Sequence, residues 1–171
     1  MKILGIDPGY AIIGWGVVDY INTKFSVVDY GAITTSSKTS FEYRLLEIAN
    51  DLEQVLIKFK PEYLSIEKLF FNSNQKTVID VAQARGVIVM LCAKHGVEIF
   101  EYTPLQVKQS VVGYGRAVKN QVMEMTKTIL NLKTIPKPDD TADALALAIC
   151  HGHSFNSLLI GRKNIRIKAG F

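Results

Sequence analysis

The sequence predicts an α/β domain on a five-stranded mixed sheet, a three-stranded antiparallel meander plus two parallel strands, flanked by helices. Three observations predict it. The first 33 residues hold three short apolar or alternating runs joined by brief links, the pattern of an antiparallel meander. Two later apolar runs each follow a longer segment of helical periodicity, the pattern of parallel crossover units. Finally, 171 residues with 48% hydrophobic and 21% charged side chains suffice to bury one core and exclude a disordered chain.

In chain order, "KILGID" (2–7), "IGWGVVDY" (13–20) and "FSVVDYGAI" (25–33) are the meander strands. Thr39, followed three residues later by Glu42, forms the expected capping box of a first helix. Leu45, Ile48, Ala49, Leu52, Val55, Leu56 and Phe59 then recur at helical spacing, giving one sheet-facing stripe before Pro61 stops the helix. "EYLSIEKLFF" supplies a fourth strand ending near Glu67. A long helix follows from about Asn74 to His95, through Val78, Val81, Ala82, Val89 and Cys92. "GVEIFEY" (96–102) is the fifth strand, "TPLQVKQSVVG" and "AVKNQVMEMTKTILNL" are two helices, and "PDDTADALALAICHGH" is a last one. A meander followed by crossover units in one sheet is the connectivity of a ribonuclease H-like α/β domain. With no internal repeat or linker, residues 1–153 read as one domain followed by a basic tail, 154–171.

Charge is uninformative until it is located. The isoelectric point is about 9.0, but Arg162, Lys163, Arg166 and Lys168 alone equal the net +4, so the first 160 residues are balanced. A short basic tail is most simply a solvated terminus. Cys92 and Cys150 sit in apolar helical patterns with no metal-ligand spacing, as reduced core thiols do. "MKILGID" is too short and too soon interrupted for a signal segment, and no apolar run reaches spanning length, so a cytoplasmic location is expected.

The carboxylates carry the chemistry. Asp7 ends the first strand and Glu67 the fourth, and parallel strands bring their carboxyl ends to one sheet edge, where open α/β sheets bind ligands. Residues 3, 5 and 7 share one face of the first strand and Leu4 and Ile6 the other. Alone, an acid before Pro8-Gly9 is best read as a turn residue. Asp140 and Asp143, three apart, share a helix face with Ala144, Leu147 and His151. Asp139 after Pro138 reads as a cap or dipole partner, whereas Asp143 points from an apolar helix toward whatever that helix packs on. Its helix offers no lysine or arginine nearby, which leaves the strand-end acids as its candidate neighbours. Converging carboxylates repel unless a cation joins them. The absence of Cys or His pairs beside them argues against zinc and for Mg²⁺ or Mn²⁺, with phosphate as substrate. Two such ions roughly 3.5–4 Å apart can activate a water and stabilise the leaving oxygen of an in-line displacement.

In order along the chain, "GIDPGYAIIGWGVVD", "IEKLFF", "QARGV", "EYTPLQVKQSVVGYGRAVKNQV" and "DDTADALALAICHGH" resemble the RuvC family of bacterial Holliday junction resolvases. The resemblance implies a ribonuclease H-like fold, a homodimer, and Mg²⁺-dependent nicking of two opposed strands of a four-way DNA junction, leaving 5′-phosphate and 3′-hydroxyl ends. It also implies the branch-migration proteins RuvA and RuvB as partners. The family's catalytic acids and metal ligands fall on Asp7, Glu67, Asp140 and Asp143; Asp139 also shares a face with Asp143, but the family's D-x-x-D-A spacing favours Asp140. The family's basic pair falls on Lys108 and Lys119, with Arg116 in the same stretch, and its base-stacking aromatic on Phe70. Lys127 and Lys133 read as a solvated helix face, and Phe71 as packing across a dimer. Arg85 either approaches DNA or pairs within the dimer helix, for which 74–95, apolar beyond one stripe, is the candidate. His151 and His153 are near the metals or cap the helix end, and Gly113 and Gly115 form a hinge between short helices.

Three other classes share features with this sequence. An actin-like ATPase or sugar kinase also begins with a strand, an Asp and a Gly, but needs two domains and a second phosphate loop. A junction-binding scaffold gains nothing from four mutually repelling acids. The ribonuclease H-like nuclease that trims precursor ribosomal RNA shares the opening motif but lacks "VKQSVVGYGRAVKNQV".

Overall fold

A computed structural model describes the backbone over residues 1–69 and 75–168, and side chains over 1–69 and 78–155. The elements are β1 (Lys2–Asp7), β2 (Ile12–Ile21), β3 (Lys24–Thr34), α1 (Phe41–Phe59), β4 (Tyr63–Glu67), α2 (Gln75–Lys94), β5 (Glu98–Tyr102), α3 (Pro104–Val112), α4 (Lys119–Ile129) and α5 (Asp139–Lys168). The sheet order is β3-β2-β1-β4-β5, antiparallel on the meander side and parallel from β1 to β5. The predicted mixed sheet is therefore present, and β1, the strand that ends in Asp7, lies at its centre.

The period-2 alternation of β1 divides the core. Leu4 and Ile6 pack with Ile48, Leu52 and Leu56 of α1 and Ile88 and Leu91 of α2 on one face. Ile3 faces the other way, into the cluster of Val107, Val122, Leu145 and Ile149 from α3, α4 and α5. Residues 3, 5 and 7 share a face, so this parity sends the Asp7 side chain toward the α5 layer. Cys92 and Cys150 are free, buried, and belong to opposite faces. Burial pushes their thiols up to about 12 and about 11, which keeps them unreactive.

Two local readings change. The first helix is not capped by a Thr39/Glu42 box: Thr39 donates its N–H to the Ser36 carbonyl in a turn, and Ser40 becomes the N-cap without a side-chain cap bond. Glu42 instead accepts from the Ser40 hydroxyl at 2.8 Å. The box forms at α3, where Thr103 Oγ1 accepts from Gln106 N at 3.2 Å and Gln106 Oε1 from Thr103 N at 2.8 Å, with Pro104 in the first turn. Removing this cap by Thr103→Ala is expected to cost about 1 kcal/mol and to lower Tm by roughly 2–4 °C. An unchanged melting curve would contradict it. The last helix also continues past His153 to Lys168.

Candidate active site

The site is assembled where α5 crosses the carboxyl edge of the parallel strands. Ile6 and Ile66 are register partners on β1 and β4, so the next residues, Asp7 and Glu67, end adjacent strands side by side. Asp7 is also paired with Gly14 of β2. A β-carbon on Gly14 would overlap the Asp140 backbone carbonyl and lie 2.7 Å from Thr141 N, so the first turn of α5 rests directly on this glycine. Deeper along the helix, a β-carbon on Gly5 would overlap the Ala144 carbonyl oxygen, and one on Gly16 would lie 2.7 Å from Leu145 Cγ. Gly5 and Gly14 thus let backbone meet backbone, and Gly16 makes room for the Leu145 side chain, which together bring the acid-bearing helix onto the sheet. Two hydrogen bonds fix it there: Thr141 Oγ1 donates to the Gly31 carbonyl at 3.1 Å, and buried Ser65 Oγ to the Leu147 carbonyl at 2.6 Å.

Electrostatics records how closely the acids meet. Burial raises the Asp7 carboxyl to about 7, with further lifts from the charges of Asp143, Glu67 and Asp140, opposed by Lys119. Glu67 is raised by burial and then by Asp143. Asp143 is raised by burial, which outweighs the hydrogen bond and charge of Lys119. Nζ of Lys119 lies 3.0 Å from Asp143 Oδ2 and 3.6 Å from Asp139 Oδ2. Burial opposes its charge, but these carboxylates outweigh that and hold the ammonium above its ordinary value. The sequence-based expectation that only other acids neighbour Asp143 is corrected here: its partner is a lysine from the start of α4, brought in by tertiary packing.

Beside the acids lies a cleft of about 240 Å³, lined by Glu67, Asp143, Lys108 and Lys119 over a wall of Pro104, Val107, Val122, Ala146 and Leu147. Carboxylate oxygens without thiol or imidazole partners, raised by burial and mutual repulsion, suit a hard divalent cation. Among the described residues no three His, Cys, Asp or Glu side chains close into a finished ligand cage. Uncompensated carboxylates repel one another, so closing such a cage takes a cation.

The other predicted residues disperse. Lys108 lines the cleft and Arg116 is exposed between α3 and α4. Arg85 is turned toward β5, where it pairs with Glu101 and is mostly covered. Phe70 and Phe71 lie outside the described residues. Histidine 151 neither caps a helix end nor joins the acids: it is fully buried within α5, with Nδ1 2.8 Å from Tyr102 Oη, and burial lowers it to about 4. His153 is exposed, its Nδ1 3.0 Å from the Ser110 carbonyl. Gly113 is the left-handed C-cap that ends α3. Sequence reasoning missed Gly5 and the Tyr102–His151 bond; the small residue between Leu4 and Ile6 on the Asp7 face was the available signal for the first.

Comparison with known proteins is consistent with this geometry. The family model described as "Crossover junction endodeoxyribonuclease RuvC" matches residues 3–151. A crossover junction endodeoxyribonuclease RuvC of Ruminiclostridium cellulolyticum is 63% identical over 154 residues, covering 90% of this chain and 93% of the relative. The Thermus thermophilus RuvC structure superposes with a TM-score of 0.85 at 33% identity, covering 92% of this chain and 96% of that one. The same protein in complex with a Holliday junction substrate gives 0.84 at 31% identity, with the same coverage. The chain belongs to the RuvC family of crossover junction endodeoxyribonucleases.

Proposed function

We propose that this chain resolves four-way (Holliday) junction DNA in recombination and repair, nicking two opposed strands symmetrically with Mg²⁺ as cofactor and Mn²⁺ able to replace it. The observation that supports this reading is that the charges of Asp143, Glu67 and Asp140 all act on buried Asp7, beside a cleft lined by Glu67, Asp143, Lys108 and Lys119. These four carboxylates would hold the metal. Divalent cations supply activation of the attacking water and stabilisation of the leaving oxygen, with 5′-phosphate and 3′-hydroxyl ends as products.

The chain itself does the rest. Lys108 and Lys119 bind backbone phosphates, which gives affinity and salt dependence without base information. The apolar wall of Pro104, Val107 and Val122 limits bulk water on one side of the cleft. Arg116 extends the basic rim, and Phe70 stacks on a base displaced at the crossover. Arg85 contributes only by exchanging Glu101 for a phosphate. Ile79 and Met90, each more than half exposed on α2, support that helix as a homodimer interface presenting two equivalent sites to two equivalent strands. Residues 1–153 act as the nuclease unit and 154–171 as a basic tail. Among the described residues no helix is long and apolar enough to cross a membrane, which suits action on cytoplasmic DNA with RuvA and RuvB.

The test is to incubate the protein with labelled four-way junction, linear duplex and structured RNA, with Mg²⁺ or EDTA. Cutting confined to the junction and dependent on metal is expected. Equal cutting of duplex, or cutting in EDTA, would overturn the proposal.

A further inference from the structure

We infer that Lys119 is an intramolecular competitor of the divalent cation: its ammonium holds Asp143 while metal is absent and moves to Asp139 and a substrate phosphate when metal arrives, so that metal and DNA load together. The inference rests on the metal site proposed above.

Lysine 119 opens α4, whose start is fixed by Gln121 Oε1 accepting from Val118 N at 3.0 Å. Its Nζ takes Asp143 Oδ2 at 3.0 Å, and among the described residues this is the one ion pair Asp143 makes. A divalent ion on Asp143 needs the same carboxylate, and an ammonium on the same oxygen repels it. The two cations therefore compete for Asp143.

A second carboxylate is placed to receive the displaced ammonium. Asp139 lies one turn before Asp143, with Oδ2 3.6 Å from Lys119 Nζ and Oδ1 held by Lys137 at 2.6 Å. The Lys119 side chain is 54% exposed, and pairs this open to water exchange at little cost. It also lines the cleft with Lys108, so release from Asp143 frees it on the side where a phosphate would lie. Asp139 thereby gains a role distinct from metal ligation, and the lysine supplies the countercharge that lets the acids pack before metal is bound.

By linkage, whatever removes Lys119 from Asp143 tightens metal binding, and metal tightens phosphate binding. Calorimetric titration of Mn²⁺ into the folded protein without DNA reads this directly for wild type, Lys119→Met, Lys119→Arg and Asp7→Asn. Lys119→Met is expected to bind Mn²⁺ about fivefold tighter than wild type or better, and Lys119→Arg within about twofold of wild type. Ca²⁺ is expected to tighten junction binding more in wild type than in Lys119→Met. Should Lys119→Met lose its circular-dichroism signal, Lys119→Gln takes its place. Mn²⁺ binding by Lys119→Met no tighter than wild type overturns the inference, and leaves the metal site standing if wild type titrates and Asp7→Asn does not. No binding by wild type overturns both.

Discussion

Asp7→Asn is expected to lower junction cutting by about a thousandfold or more while junction binding persists or tightens and the metal-free protein becomes more stable. The first effect follows from loss of the acid on which the charges of Asp143, Glu67 and Asp140 all act. The second follows from removing one negative charge that faces phosphate. The third follows from linkage. Asp7 titrates near 7 in the folded protein against an ordinary 3.8. Between about pH 4 and pH 7 the folded state therefore holds a proton that the unfolded state has released. Stability of the metal-free wild type falls as pH rises through that window and levels off above it. The amide variant lacks this fall. The rise from 3.8 to about 7 sets an upper bound of about 4 kcal/mol, and solvent in the cleft reduces it, so a gain of about 2 kcal/mol at pH 8 is expected, or roughly 4–8 °C in Tm. Mg²⁺ should stabilise wild type and leave the variant's Tm unchanged. Thermal melts at pH 5 and pH 8, with and without Mg²⁺, check all three signs; a variant less stable than wild type at pH 8 would contradict the reading of Asp7 as a strained acid.

The second large effect is mechanical. Gly5→Ala places a β-carbon into the Ala144 carbonyl and 2.9 Å from Ala148 N, both backbone atoms that cannot rotate away. α5 must lift from the sheet, disturbing buried Leu145 and Ile149. A loss of about 3 kcal/mol or more is expected, roughly 6–12 °C in Tm, or failure to fold. Gly14→Ala meets Asp140 itself, so its cost falls more on activity: displacing the acid-bearing turn by about 1 Å is expected to reduce cutting about a hundredfold. Gly86→Ala is the control, since nothing lies within 4 Å and α2 gains helix propensity, worth about 0.5–1 kcal/mol. Equal melting temperatures for Gly5→Ala and Gly86→Ala would show that the α5 contact with the sheet is not tight.

Much of this was legible from the chain because it is written in local periods. Alternation along 2–7 predicted that Asp7 shares a face with Ile3, and the three-residue spacing of Asp140 and Asp143 predicted a shared helix face. Connectivity predicted which strand ends meet. What remained hidden depends on contacts between distant segments. Nothing near Asp143 in sequence signals that Lys119, 24 residues earlier, supplies its partner. The first-helix cap shifted from Thr39 to Ser40 because a turn claimed the Thr39 N–H, a competition between two local motifs of similar strength. His151 reads as a polar residue near a helix end, yet it is buried because α5 continues and because Tyr102 arrives from β5 to bond it.

The central claim is that these four carboxylates cut a four-way junction with metal. The most direct measurement is a cleavage assay on a junction with each strand labelled in turn, in Mg²⁺, comparing wild type with Asp7→Asn, Glu67→Gln, Asp140→Asn and Asp143→Asn. Wild type should nick two opposed strands at symmetric positions, giving ends that ligase reseals, and all four variants should bind the junction but fail to cut it at a comparable rate. Wild-type rates in Asp7→Asn, or nicks that ligase cannot reseal, would contradict the account.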